Sequence, residues 1–201
     1  ENSVRNPTRT AVSASSLMIG LALVLFVTVY ASGLRSSTGR IIRQTFLGDF
    51  TIESQDGATP IPGASARAAA AVPGVIAVSS LKTGDARLPG AGEVTAEGID
   101  PNTIGQVYRF QWVAGSSATL AGLGPGDTIV ERDTASSAQL RVGDHVVLTT
   151  ETGLQAPLTV RGIYTDRALL RGLALPIVEF EQIFHQQRLQ DVFVKLGPGT
   201  D

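Results

Sequence analysis

The sequence contains no cysteine, which excludes disulfide bonds and thiol chemistry. It also lacks a basic surplus, because 16 lysines and arginines stand against 18 aspartates and glutamates, for a formal net charge of −2. Proteins that bind nucleic acids usually carry such a surplus, so we expect no nucleic-acid partner. Only two histidines occur, His145 and His185, without an HExxH pattern. We interpret each as an ordinary strand or helix residue rather than a metal ligand.

Two motifs of enzyme chemistry are also missing. No GxxxxGK(S/T) loop occurs that could cradle a nucleotide phosphate, and no GxSxG elbow that could present a nucleophilic serine. Glu131 and Asp133 are paired carboxylates, which can do acid–base work, but they flank a predicted strand end beside Arg132 and Arg141. We interpret them as a solvated turn. We therefore expect no catalytic residue, cofactor site or metal ligand, and an exported enzyme is the least favoured class.

One long stretch of the sequence carries no charge. Residues 10–34 contain no charged side chain, and as an α-helix these 25 residues would measure roughly 37 Å. The hydrocarbon core of a bilayer is about 30 Å thick, so the stretch predicts one transmembrane helix. Asn6-Pro7 is a suitable helix start, which leaves residues 1–5 as a separate short element at the interface. We expect membrane helix and stalk together to span residues 10–46.

Three small residues, Ser13, Ser16 and Gly20, share one face of this predicted helix at spacings of three and four. Small residues allow a second helix to approach closely, so we predict packing against other transmembrane helices. An isolated anchor is the alternative. The arginines on both sides of the stretch give no orientation by the positive-inside rule, and a signal peptide cleaved near Gly33 is a further alternative.

The sequence after the stalk has the alternating patterns of a water-soluble domain. Its element order is strand–helix–strand, then a strand-rich middle, then strand–helix–strand, which predicts an α+β fold. We expect a βαβ-type subdomain of residues 49–100 and 166–201 with a β-rich insertion at residues 101–165. The first and last units should share one sheet, because an insertion leaves and returns at neighbouring points. Glycines and a proline in residues 82–92 predict an exposed turn.

Two pairs of residues are candidates for contact with a substrate or partner. Phe110 and Trp112 lie next to a glycine-rich stretch, where they could meet a lipid or peptide. The alternative is a small hydrophobic core within the insertion. Arg167 and Arg171 flank two leucines in a loop-like segment, where they could contact a partner protein or lipid headgroups. The alternative for this pair is an ordinary solvated surface.

The residues resemble those of a known family. ENSVRNPTRT followed by SASSLMIGLALVLFVTV is similar to the elbow and first helix of the second membrane half in large actinobacterial ABC transporter permeases of the FtsX-like/MacB-like group. AAAVPGVIAVS, VTAEGIDP, GDTIVERDTASSAQLRVGDHVVL and DVFVKL resemble successive parts of the MacB-like periplasmic core domain. The resemblance covers essentially the whole chain.

This resemblance carries several expectations. It implies a cytoplasmic elbow at residues 1–9, a plasma-membrane location and an extracytoplasmic domain of two subdomains. It implies mechanotransmission, in which a separate cytoplasmic ATP-binding subunit drives the motion and the permease itself is not catalytic. The substrate class would be a lipid, lipoprotein, peptide or drug, and the partners would be the ATPase, further transmembrane helices and membrane lipid.

A second function remains open at this point, a singly anchored extracytoplasmic domain for binding or adhesion. The permease requires further apolar spans downstream, whereas the anchored domain does not. The chain begins at Glu1, and its one methionine is Met18. We therefore expect it to be a segment of a longer polypeptide.

Overall fold

The structure is a computed structural model, and it describes residues 15, 17–28, 45–166 and 169–199. The chain divides into two compact units, Glu1–Arg43 and Gln44–Asp201.

The described part of the first unit is helical over residues 17–28. Its large apolar side chains are exposed; Leu17, for example, is 75% accessible. A Cβ built on Gly20 would meet nothing within 4 Å. Ser13 and Ser16 lie outside the described residues, as do residues 1–9 and most of the predicted stalk. Among the described residues, no helix has both the length and the apolar character needed to cross a membrane, so the transmembrane helix stays a prediction.

The described part of the second unit contains nine strands and five helices. The strands are β1 (Phe50–Ile52), β2 (Val75–Leu88), β3 (Gly92–Ile99), β4 (Gln111–Ala114), β5 (Asp127–Glu131), β6 (His145–Thr150), β7 (Gln155–Thr165), β8 (Leu173–Pro176) and β9 (Asp191–Leu196). The helices are α1 (Ala64–Ala70), α2 (Ile104–Val107), α3 (Ser117–Ala121), α4 (Arg132–Ser137) and α5 (Ile177–Phe184).

One sheet connects all nine described strands, in the order β1-β9-β2-β3-β8-β5-β7-β4. Strand β6 pairs with both β7 and β2, so β2, β3, β8, β5, β7 and β6 close into a ring. The first half of β2 continues beyond the ring, where β9 pairs with it and β1 pairs with β9. The prediction that the first and the last strand–helix–strand parts of the domain share one sheet is therefore confirmed. The sheet is continuous across the proposed subdomain boundaries, and the division into two subdomains stays a prediction.

The predicted turn at residues 82–92 is wrong in its extent. Strand β2 continues to Leu88 and pairs with β3 up to Leu88↔Gly92, so the turn is limited to the tip of this hairpin. The glycine inside the strand has a packing role. A Cβ on Gly84 would lie 2.7 Å from the ring of Phe184, so the missing side chain makes room for α5.

The hydrophobic core has three parts. The first fills the interior of the ring, takes buried residues from all six of its strands, and includes Phe180 and Ile183 of α5. The second lies on the outer face of the ring beneath α2 and α3, and the third lies between α1 and the strands β2 and β9. Every strand therefore has at least one covered face, as a stable mixed sheet requires. The sheet-rich mixed fold confirms the predicted class in part.

Candidate functional site

The place where the chain enters its second unit is fastened by main-chain hydrogen bonds. Arg109 N–H donates to the carbonyl of Thr45 at 2.8 Å, and Leu47 N–H donates to the carbonyl of Val107 at 2.8 Å. Phe46 forms an antiparallel bridge to Tyr108, which lies between Val107 and Arg109. The incoming segment is thus held like a short strand against the end of α2.

The end of β9 lies beside this incoming segment. Asp49 N–H donates to the carbonyl of Val194 at 2.8 Å, and Leu196 N–H donates to Asp49 Oδ2 at 2.7 Å. The rings of Phe46 and Phe193 meet edge to face, with centroids 5.3 Å apart. We call segments 45–49, 107–109 and 193–196 the root. At the root the first strand of the domain and its last strand, β1 and β9, run side by side.

An aromatic row leads away from the root. The rings of Tyr108 and Phe110 meet edge to face at 4.8 Å, and the rings of Phe110 and Trp112 stack at 5.2 Å. Trp112 also covers Gly162, where a Cβ would lie 2.8 Å from the indole ring. Both Phe110 and Trp112 are half-buried and pack on the second core cluster. This is the packing expected of a small core, and a substrate contact at these two residues stays a prediction.

Replacing Trp112 with alanine is expected to lower the free energy of unfolding by about 2–3 kcal/mol, because it removes the stacked ring and uncovers the backbone beside it. Urea unfolding followed by circular dichroism measures this loss. The matched control is Val113→Ala on the same strand, whose side chain is 55% exposed and which should cost under about 1 kcal/mol. Equal stability of both variants would contradict the core role of Trp112.

The loop between β7 and β8 is held by a buried aspartate. The Asp166 carboxylate accepts hydrogen bonds from the Tyr108 hydroxyl, from Leu169 N–H at 3.2 Å and from Leu170 N–H at 2.6 Å. Burial, followed by the hydrogen bond to Asp166, raises the pKa of Tyr108, so the phenol remains a donor. The hydrogen bond from Tyr108 to Asp166 therefore links the aromatic row and the root to this loop.

A second buried acid holds the far end of the same loop. Glu97 is 4% exposed, accepts a hydrogen bond from the Thr83 hydroxyl at 3.0 Å, and accepts another from the backbone N–H of Arg171. Burial raises the pKa of Glu97 to about 8. The Arg171 side chain is exposed, as a contact residue requires, whereas Arg167 lies outside the described residues. No local pattern in the sequence points to Glu97, because its partners are distant along the chain.

The remaining candidates from the sequence are structural in the described fold. Glu131 is buried, and its Oε2 accepts hydrogen bonds from Asp133 N–H at 2.7 Å and Thr134 N–H at 3.2 Å, so it caps α4. The interpretation of a solvated turn is therefore wrong for Glu131. His145 and His185 are exposed and lie on β6 and at the end of α5. The described part of the chain contains no cluster of potential metal ligands.

Comparison with known proteins adds sequence and fold evidence. The model of the MacB-like periplasmic core domain matches residues 10–201. The extracellular domain of the noncanonic ABC-type transporter YknZ from Gram-positive bacteria is similar at 18% identity and a TM-score of 0.51, over 75% of this chain and 82% of that one. The periplasmic region of MacB from Actinobacillus actinomycetemcomitans is similar at 14% identity and a TM-score of 0.52, over 80% of this chain and 79% of that one.

No curated protein sequence matches the chain significantly. The solved structures establish a shared fold, and the family model extends over nearly the whole chain. The chain belongs to the family of MacB-like periplasmic core domains of ABC transporter permeases.

Proposed function

We propose that the chain is the first transmembrane helix and the extracytoplasmic domain of a permease that a separate cytoplasmic ATP-binding subunit drives. The domain would transmit the motion of the membrane helices to a lipid, lipoprotein, peptide or drug substrate outside the plasma membrane. The observation that carries this proposal is the root, where β1 and β9 are hydrogen-bonded side by side. A domain that passes motion on must be held firmly where its chain enters.

The root suits transmission because its bonds are numerous and mostly main-chain. A displacement of the incoming segment acts on the main chain of α2 and of β9 at once. Since β9 pairs with β2, and β2 belongs to the closed ring, the displacement reaches the whole sheet. A flexible linker would instead absorb the motion. A closely packed sheet moves as a rigid body.

The remaining parts of the proposal concern the membrane segment and the contact residues. Ser13, Ser16 and Gly20 would pack against other transmembrane helices of the same permease. Phe110, Trp112, Arg167 and Arg171 would contact the substrate or a partner. Membrane lipid would surround residues 10–34, with residues 1–9 as the cytoplasmic elbow.

A flexible insertion tests whether motion passes through the root. The complete permease and its ATPase are placed in lipid nanodiscs, and a fluorophore on Gln182→Cys reports energy transfer to a lipid-bound acceptor. The chain has no cysteine of its own, so the label is specific within it. We expect ATP to change the transfer efficiency. Inserting Gly-Gly-Ser before Thr45 should abolish the change while ATP hydrolysis continues, because the linker absorbs the displacement.

The matched control carries the same insertion in the exposed β6–β7 turn, before Gly153, and should keep the response to ATP. An ATP response that survives the insertion before Thr45 would contradict transmission through the root. Failure of any ATPase to co-purify with the permease in mild detergent would favour a singly anchored binding domain instead.

A further inference from the structure

A groove of about 880 Å³ lies between α4, the segment 139–144 that follows it, β4 and β7. Val113, Leu140 and Ile163 give it an apolar floor, and Arg132, Arg141 and Asp144 supply its charged groups. Leu140 and Ile163 of the groove pack against the first core cluster, whereas Trp112 packs against the second, so the groove and Trp112 belong to different faces of the sheet. The sequence did not predict this groove, because its residues come from three separate elements and the segment 139–144.

Both arginines of the groove are available to a ligand. Arg132 Nε lies 3.6 Å from Asp133 Oδ1, and both of these side chains are substantially exposed, so the pair contributes little. Arg141 is exposed and its guanidinium forms no ion pair among the described residues. Asp144 is oriented by a hydrogen bond, since its Oδ2 accepts the backbone N–H of Arg141 at 2.8 Å, and it forms no ion pair with either arginine among the described residues. Exposed guanidinium groups without a strong ion pair bind carboxylates well.

The strand beside the groove has a free edge. Strand β4 pairs with β7 through Gln111↔Thr165, Trp112↔Tyr164 and Ala114↔Ile163, and no other described strand pairs with it. The register shifts at Val113, and this residue is 55% exposed at the groove. An exposed edge offers unpaired N–H and C=O groups to an extended chain.

We propose that the groove binds an extended acidic peptide segment of a partner protein, which adds as a strand to β4. Alternate residues of an added strand lie about 6.6 Å apart on one face. Carboxylates on one face of the segment would pair with Arg132 and Arg141, which line the same groove as Val113, while an apolar side chain covers Val113. The free strand edge favours a peptide over a lipid, because lipid headgroups cannot satisfy a row of backbone groups. This inference is independent of ATP-driven transmission.

The test uses the full chain in detergent micelles and a fluorescein-labelled peptide of alternating glutamate and valine. We expect saturable binding by fluorescence anisotropy, with slower amide hydrogen exchange at residues 111–114. Arg132→Glu and Arg141→Glu should each weaken binding about tenfold or more, since each removes one charge-assisted contact and adds a repulsion. Circular dichroism confirms that each variant is folded.

Two controls sharpen the result. Arg87→Glu changes a guanidinium on β2, outside this groove, and should leave binding unchanged. A peptide of alternating lysine and valine should not bind. The proposal is overturned if the acidic peptide fails to bind, if both groove variants bind it normally, or if residues 111–114 keep their exchange rates. Stronger binding to phosphatidylglycerol vesicles, sensitive to the same two substitutions, would overturn it in favour of a lipid.

Discussion

Replacing Gly172 with alanine is expected to destabilise the second unit by about 3–5 kcal/mol, a large part of the stability of an ordinary domain. Gly172 has a φ of +66°, which alone disfavours any side chain. A Cβ at this position would also clash with the carbonyl oxygen of Thr95. The backbone has little freedom to move away, because Glu131 N–H donates to the carbonyl of Gly172 at 2.7 Å.

The measurement is urea unfolding of the full chain, followed through the fluorescence of its one tryptophan, Trp112. Gly153→Ala is the matched control. That residue has a φ of +84°, but a Cβ on it would meet nothing within 4 Å. It should cost only about 1–2 kcal/mol, the ordinary penalty of the left-handed conformation. Equal losses in the two variants would show that the close approach at Gly172 does not exist.

Glu97 is expected to make the second unit less stable as the pH rises. Burial raises its pKa from 4.5 to about 8, so the folded state keeps a proton that the unfolded state releases. The stabilisation by that proton is complete below pH 4.5, declines as the pH rises to about 8, and is absent above it. Between pH 6 and 8 the slope should approach about 1.4 kcal/mol per pH unit.

Replacing Glu97 with glutamine should flatten this slope and stabilise the protein at pH 8 by about 2–4 kcal/mol. The amide oxygen can still accept the hydrogen bond from Arg171 N–H, so the contact to the loop is kept. Urea unfolding at several pH values measures the difference. Burial, and then the neighbouring Glu53, raise the pKa of Asp191 to about 6. Asp191 therefore contributes a similar slope below pH 6, and the slope to compare for Glu97 is the one above pH 6.

Glu93→Gln is the control for Glu97, because Glu93 lies on the same strand with a side chain that is 82% exposed. It should leave the slope unchanged. An unaltered pH dependence in Glu97→Gln would mean that another group binds the proton.

The strands and helices with strong local patterns can be predicted from the sequence. The patterns of Asp127–Glu131 and Asp191–Leu196 predict strands with the bounds that the structure has, because the first is a run of β-branched residues and the second alternates apolar with polar residues. The part of the β2–β3 hairpin at residues 82–88 is not predicted from its local pattern. Glycine normally marks a turn, and only the packing of α5 shows that Gly84 is needed inside a strand.

The candidate site is predictable only in part. Phe110 and Trp112 are conspicuous because aromatic residues are rare here, and the structure shows that they pack on each other. Glu97 and Gly172 carry no signal in the sequence, since what matters for them is the approach of distant segments. The root is also not predictable from the sequence, because it joins residues from three separate segments of the chain.

The family, the apolar stretch at residues 10–34, the sheet-rich class and most strands can be inferred from the sequence, since these depend on local pattern and composition. The ring of six strands, the meeting of β1 and β9 at the root, and the two buried acids that hold one loop are evident only in the folded chain. Strand pairing and burial of charge depend on contacts between residues far apart in the chain, which no local pattern contains.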